Sequence, residues 1–167
     1  MKTTKALSGP QAFQRLAALC ARGEHCQHEM LEKMRQWGVS DEEQASVMQK
    51  LIEGRYVDDE RYARAFVNDK IRYSKWGRRK VEQGLWLKHI DSETIAQVLD
   101  DVDDSEYIDI LKPLLKQKAA AAGGLQSGNH QHSLLRAKLI KFALGRGFTM
   151  DIIRQCIDVD DEDEFLD

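Results

Sequence analysis

Cations are the residues of this chain best placed to do chemistry, and they gather in two segments. Lys70, Arg72, Lys75, Arg78, Arg79, Lys80 and Lys88 face one acid, Glu82, within residues 70–90, a local balance of +6. Arg136, Lys138, Lys141 and Arg146 occupy residues 133–147, which hold no acid at all. Such clusters neutralise phosphates, with binding that weakens as salt rises, or meet the acidic face of a protein partner. Trp76 stands inside the first cluster as a candidate aromatic platform. The bland alternative is a solvated face balanced by the eight acids between Asp91 and Asp109. Two basic segments in matching helices weigh against it.

Other chemistries find no support. Cys20, His25, Cys26 and His28 suggest zinc, yet their spacing gives neither a Cys-x2-Cys pair nor a second pair of finger ligands. His130 and His132 read as bystanders in a loop. No Ser/His/Asp arrangement, phosphate-cradling glycine loop or converging acid pair occurs. The expectation is a protein without catalytic residues, metal or cofactor.

The elements that must carry these cations are helices, and they repeat. Met30, Met34, Gly38, Val39, Val47, Met48 and Leu51 correspond, 51 positions on, to Val81, Leu85, His89, Ile90, Val98, Leu99 and Val102. A third copy follows 58 positions later at Leu139, Ala143, Gly147, Phe148, Cys156 and Ile157. Units this small bury their apolar faces only by stacking, which builds an extended binding surface. The fold expected is all-α, three tandem three-helix repeats in an elongated, curved array. Their bounds are 9–56, 57–103 and 104–159, with an acidic tail over 160–167. In register, Lys88 and Arg146 are equivalent, and like-placed cations suit a periodic partner.

Within the first repeat, Gly9-Pro10 opens a helix to Arg22, a second spans Gln27–Trp37, and Ser40 with Glu43 forms a capping box for the third. Asp58 or Asp59 caps the next helix, whose apolar stripe of Tyr62, Ala63, Phe66, Val67 and Ile71 reaches Trp76 and stops at Gly77. Helices over 79–89 and from the Asp91-Ser92-Glu93 cap complete the second repeat. The third starts at Ser105, with Pro113 kinking it or marking a late start. Residues 123–129 read as a flexible loop and two shorter helices follow. Trp37, Trp76 and Trp86 are expected in packing roles, Trp76 the most exposed of them.

The junction Gly54-Arg55-Tyr56-Val57-Asp58-Asp59-Glu60-Arg61-Tyr62-Ala63-Arg64-Ala65-Phe66, followed by Lys75-Trp76-Gly77, closely resembles the RecX family of bacterial recombination regulators. That family's pattern is Gly-Tyr/Phe-x-Asp-Asp-x-Arg-Phe/Tyr-Ala, then Lys-x-Gly, then a helix ending Lys-Gly-Ile. Here the helix ends Lys88-His89-Ile90, with histidine where the family has glycine. The resemblance covers roughly residues 13–157. It implies a non-enzymatic protein that binds the RecA recombinase and its nucleoprotein filament. It also implies restraint of filament extension, ATP hydrolysis, strand exchange and co-protease activity, hence of DNA repair and the SOS response. Read from their own chemistry, Asp58, Asp59, Arg61, Tyr62, Ala63, Phe66 and Gly77 are structural, fixing the angle between repeats, with partner binding nearby. The rival expectation is a helical-repeat DNA-binding protein that competes with RecA for single-stranded DNA. Direct contact with single- or double-stranded DNA is compatible with both.

Composition sets the outer limits. The 167 residues are 42% hydrophobic and 32% charged, with two prolines and a net charge of −3. No stretch nears the roughly 20 apolar residues of a membrane helix, and the first residues lack a signal-peptide core. Three cysteines in no framework point to the reducing cytoplasm, and a monomer is expected. The tail serves solubility, or competes with nucleic acid for the basic surface.

Overall fold

The computed structural model describes residues 5–122 and 129–163, and among these every regular element is an α-helix. In chain order they are α1 (Gly9–Arg22), α2 (Gln27–Gln36), α3 (Asp41–Glu53), α4 (Asp59–Arg72), α5 (Arg78–Leu87), α6 (Ser92–Asp100), α7 (Asp104–Ala121), α8 (Asn129–Gly145) and α9 (Met150–Asp163). The expected all-α fold of three-helix repeats is the one found. The chain forms two compact units, Met1–Phe66 with Leu85–Ile95, and Val67–Gly84 with Ala96–Asp167.

In the first unit, α3 packs on α1 and α2. Its core joins Ala12 and Leu16 of α1, Met30 and Met34 of α2, and Val47, Met48 and Leu51 of α3, with Val39 and Val57 from the connections. These are the i, i+3, i+4 positions of each helix, so one apolar stripe per helix fills the core. The ends are capped by different means. Ser8 and Gln11 form a reciprocal capping box on α1. Ser40 Oγ accepts from the Glu43 N–H at 3.3 Å, but the Glu43 carboxylate does not return to Ser40. It accepts instead from the Gly9 N–H at 3.1 Å, so the expected capping box is replaced by a tie from α3 to the start of α1.

In the second unit, α7 packs on α8 and α9, and α8 on α9. Buried here are Tyr107, Leu111 and Leu115 of α7, Leu135 and Ala143 of α8, Phe148, and Ile152, Ile153 and Cys156 of α9. Pro113 lies inside α7, so the helix neither waits for it nor starts after it. His130 and His132 belong to the first turn of α8 rather than to a loop. Their polar surroundings hid the helix, whose first large apolar residues are Leu134 and Leu135. The expected loop at 123–129 lies outside the described residues except for Asn129. Of the expected tail, residues 160–163 continue α9 and 164–167 lie outside the described residues.

Three helices end in the same way. Gly38, His89 and Gly147 take the left-handed conformation, with φ of 71°, 57° and 93°. Each time the following N–H donates to the carbonyl five residues back: Val39 to Met34 O, Ile90 to Leu85 O, Phe148 to Ala143 O. This closes the helix and turns an apolar residue into the core. The shared end is the structural counterpart of the 51- and 58-residue offsets.

Candidate functional site

Gly77 explains how the two basic segments come together. Its N–H donates to Arg146 O at 2.9 Å, and the Arg79 N–H donates to Gly147 O at 3.0 Å. Donors at the start of α5 that have no partner within the helix are thus satisfied by the carbonyls that end α8. A Cβ on Gly77 would lie 2.2 Å from Phe148 N, so only glycine permits this approach. Arg146 reinforces it by donating from Nη2 to Ser74 O at 3.0 Å. Residues 70–80 and 136–146, far apart in sequence, meet at one helix-end junction inside the second unit.

The cations divide sharply by what they touch. Arg78 donates to Asp100 Oδ1 at 2.7 Å, and that hydrogen bond holds its guanidinium more firmly protonated than usual, against a smaller opposing effect of burial. Arg72 sits 3.7 Å from Glu106. Lys70 and Lys80 place their ammonium groups over the Trp76 ring, 5.0 and 4.7 Å from its centroid, so that ring already holds cations. Arg136 is half-buried. Lys75, Arg79, Lys138 and Lys141 are exposed, and none has an ionic or hydrogen-bonded side-chain partner among the described residues. Lys88 lies in the first unit, 3.6 Å from Glu29. It precedes His89 as Arg146 precedes Gly147, in the same helix-end position.

The first turn of α5 holds no acid and starts Arg78-Arg79-Lys80, at the end where aligned peptide dipoles are positive. Cations at an open helix start are disfavoured by about 0.3–1 kcal/mol each, and here the carbonyls that end α8 offset part of that field. Asp100 also pairs with the Arg78 side chain, whereas no acid pairs with Arg79 among the described residues.

The family-signature residues occupy the first unit, apart from Gly77. Asp58 Oδ1 accepts from the Arg61 N–H at 3.0 Å and caps α4. Asp59 does something the sequence did not disclose: its Oδ1 accepts from the Gln27 N–H at 2.9 Å and caps α2. Burial raises the Asp59 pKa; the Gln27 N–H pulls it down and the Asp58 charge pushes it up. Arg61 is partly exposed yet fully engaged. Its Nε donates to Glu24 at 2.6 Å and its Nη2 to Arg55 O at 3.0 Å, folding over the turn before α4. Tyr62 and Ala63 are buried, and Phe66 lies 6.0 Å from the Tyr62 ring. Lys88 O accepts a weak Sγ contact from Cys26 at 3.8 Å, and His89 stacks on His28 at 3.8 Å between centroids. The start of α2 therefore meets the end of α5 in the first unit, as the start of α5 meets the end of α8 in the second.

Trp86 departs from its expected packing role: it is 68% exposed on α5. Its spacing from Val81 and Leu85 puts it off the apolar stripe. Tyr73, unremarked in the sequence reading, is 78% exposed. Burial pushes the Cys26 thiol up to about 12, so it is inert as a nucleophile or ligand near neutral pH. Among the described residues no cluster of three His, Cys, Asp or Glu could hold a metal, and no helix is long and apolar enough to cross a membrane.

Comparison with known proteins agrees with this architecture. The family model described as RecX, second three-helix domain, matches residues 58–99. A crystal structure of RecX from Lactobacillus salivarius shares the fold with a TM-score of 0.80 at 19% identity, over 90% of this chain and 94% of that one. The regulatory protein RecX of Lactobacillus johnsonii is 27% identical over 94% of this chain, which spans only 56% of that longer protein. The regulatory protein RecX of Acinetobacter baylyi is 30% identical over 151 residues, 90% of this chain and 89% of that protein. Likeness of that degree over nearly the whole of both sequences establishes that this chain belongs to the RecX family of regulatory proteins.

Proposed function

We propose that the chain binds the RecA recombinase and its nucleoprotein filament and inhibits filament extension, ATP hydrolysis, strand exchange and co-protease activity. Its grip is the basic surface of the second unit, with Lys75, Arg79, Lys138 and Lys141 making contacts to acidic protein groups or DNA phosphate. Arg78, Arg146 and Lys88 hold the fold, and Lys70 and Lys80 act together with Trp76. The repeat bounds 9–56, 57–103 and 104–159 belong to the same proposal, supported by the three equivalent helix ends. The protein acts by binding, not by catalysis.

The observation that carries this reading is Arg79. It is exposed at the start of α5 with no acidic partner among the described residues, so its charge is available to a ligand. Arg79→Glu should change stability by less than about 0.5 kcal/mol while weakening filament inhibition about tenfold. The assay is inhibition of RecA ATPase on single-stranded DNA. Wild-type chain should inhibit at ratios far below one per RecA protomer, which competition for naked DNA cannot produce. Inhibition appearing only as the chain saturates the DNA would favour the competitor reading instead. Undiminished inhibition by Arg79→Glu would remove the basic surface from the mechanism.

A further inference from the structure

Among the described residues of the second unit, one aromatic ring is open to a ligand, and it is not Trp76. Among its described residues, Tyr107 and Phe148 are buried, Trp76 lies under Lys70 and Lys80, and Phe142 lies under Lys118 and Arg146. Tyr73 alone is open, at 78% exposure. Its backbone is held on both sides. The Tyr73 and Ser74 N–H groups both donate to Asp69 O, at 2.9 and 3.3 Å, and Ser74 O accepts from Arg146. Lys75, two residues on, turns through φ 58° and is exposed, and Arg79 follows at the start of α5. An uncovered ring on an anchored backbone, two and six residues before unpaired cations, has the composition of a single-strand site: aromatic faces take bases, cations take the phosphates between them.

We propose that Tyr73 stacks on a base of single-stranded nucleic acid while Lys75 and Arg79 engage neighbouring phosphates, making this residue the determinant of preference for single strands over duplex. A duplex keeps its bases stacked on one another and offers the ring nothing, whereas the cations serve both forms. The inference rests on the nucleoprotein reading above for the use of this surface.

The test uses the full chain and fluorescence anisotropy at low salt with a labelled oligothymidylate, an abasic strand of equal length and a duplex. Tyr73→Ala should weaken oligothymidylate binding roughly tenfold, the scale of losing one stacked base, and leave the abasic strand and duplex unchanged. Tyr73→Phe should retain wild-type affinity. Equal losses on thymidylate and abasic strands, or no loss at all, overturn the proposal, as does a wild-type chain with no affinity for oligothymidylate. If Tyr73→Ala impairs RecA ATPase inhibition while thymidylate affinity holds, the ring contacts protein, and this inference falls while the filament reading stands. If the thymidylate effect appears but wild-type chain never inhibits RecA, the filament reading fails and this one survives.

Discussion

Asp58 and Asp59 are adjacent and chemically identical, yet they cap different helices. The sequence permits either to cap α4; only the fold brings Gln27 to Asp59, across 32 residues of chain. Replacing Asp59 with alanine strands the Gln27 N–H and should cost about 1 kcal/mol. Asparagine keeps an acceptor and removes the half-buried charge. Because burial raises the Asp59 pKa above its ordinary 3.8, the folded protein holds this proton more tightly than the unfolded chain. The stabilisation from that proton is complete below 3.8 and disappears as pH rises through the folded value. Asp59→Asn should therefore equal or exceed wild-type stability at pH 7 and lose that advantage on acidification toward pH 4. Urea unfolding at the two pH values measures both effects, and an asparagine variant as unstable as alanine at pH 7 would refute this account.

At the scale of elements, helices and their repetition were legible because each copy keeps its apolar stripe and its stop residue. His89 keeps the geometry where the sequence drops glycine, stacked on His28. What the sequence could not display is the pairing of helix ends, since Gly77 and Arg146 lie 69 positions apart and carry no mutual signal. Nor could it reveal which cations are committed: Arg78 finds Asp100 only after α6 has folded back. Close approach at Gly77 gives a sharp expectation. Gly77→Ala drives a methyl into the Phe148 backbone and should destabilise by about 2–3 kcal/mol. Gly145, with nothing within 4 Å of its missing Cβ, should instead gain roughly 0.5–1 kcal/mol as alanine. Chemical denaturation of the pair decides it; equal effects would mean the junction yields.

For the whole molecule, a net charge of −3 predicts repulsion from nucleic acid, and the charge segregation seen in the sequence predicts the opposite. The structure narrows that second expectation. Eleven candidate cations fully engaged with phosphate on a single strand would give a log–log salt slope near −8, taking roughly −0.7 for each. Arg72, Arg78, Lys88 and Arg146 are already occupied by Glu106, Asp100, Glu29 and Ser74. Lys70 and Lys80 lie over Trp76, and Arg136 is half-buried. Four remain, Lys75, Arg79, Lys138 and Lys141, for an expected slope of about −3. Measuring oligothymidylate affinity from 50 to 200 mM salt would then show a fall of about 60-fold, against several ten-thousand-fold for a fully engaged set. The steeper dependence would mean that the internal pairs open when a strand binds; a flat one would mean that phosphate is not the ligand.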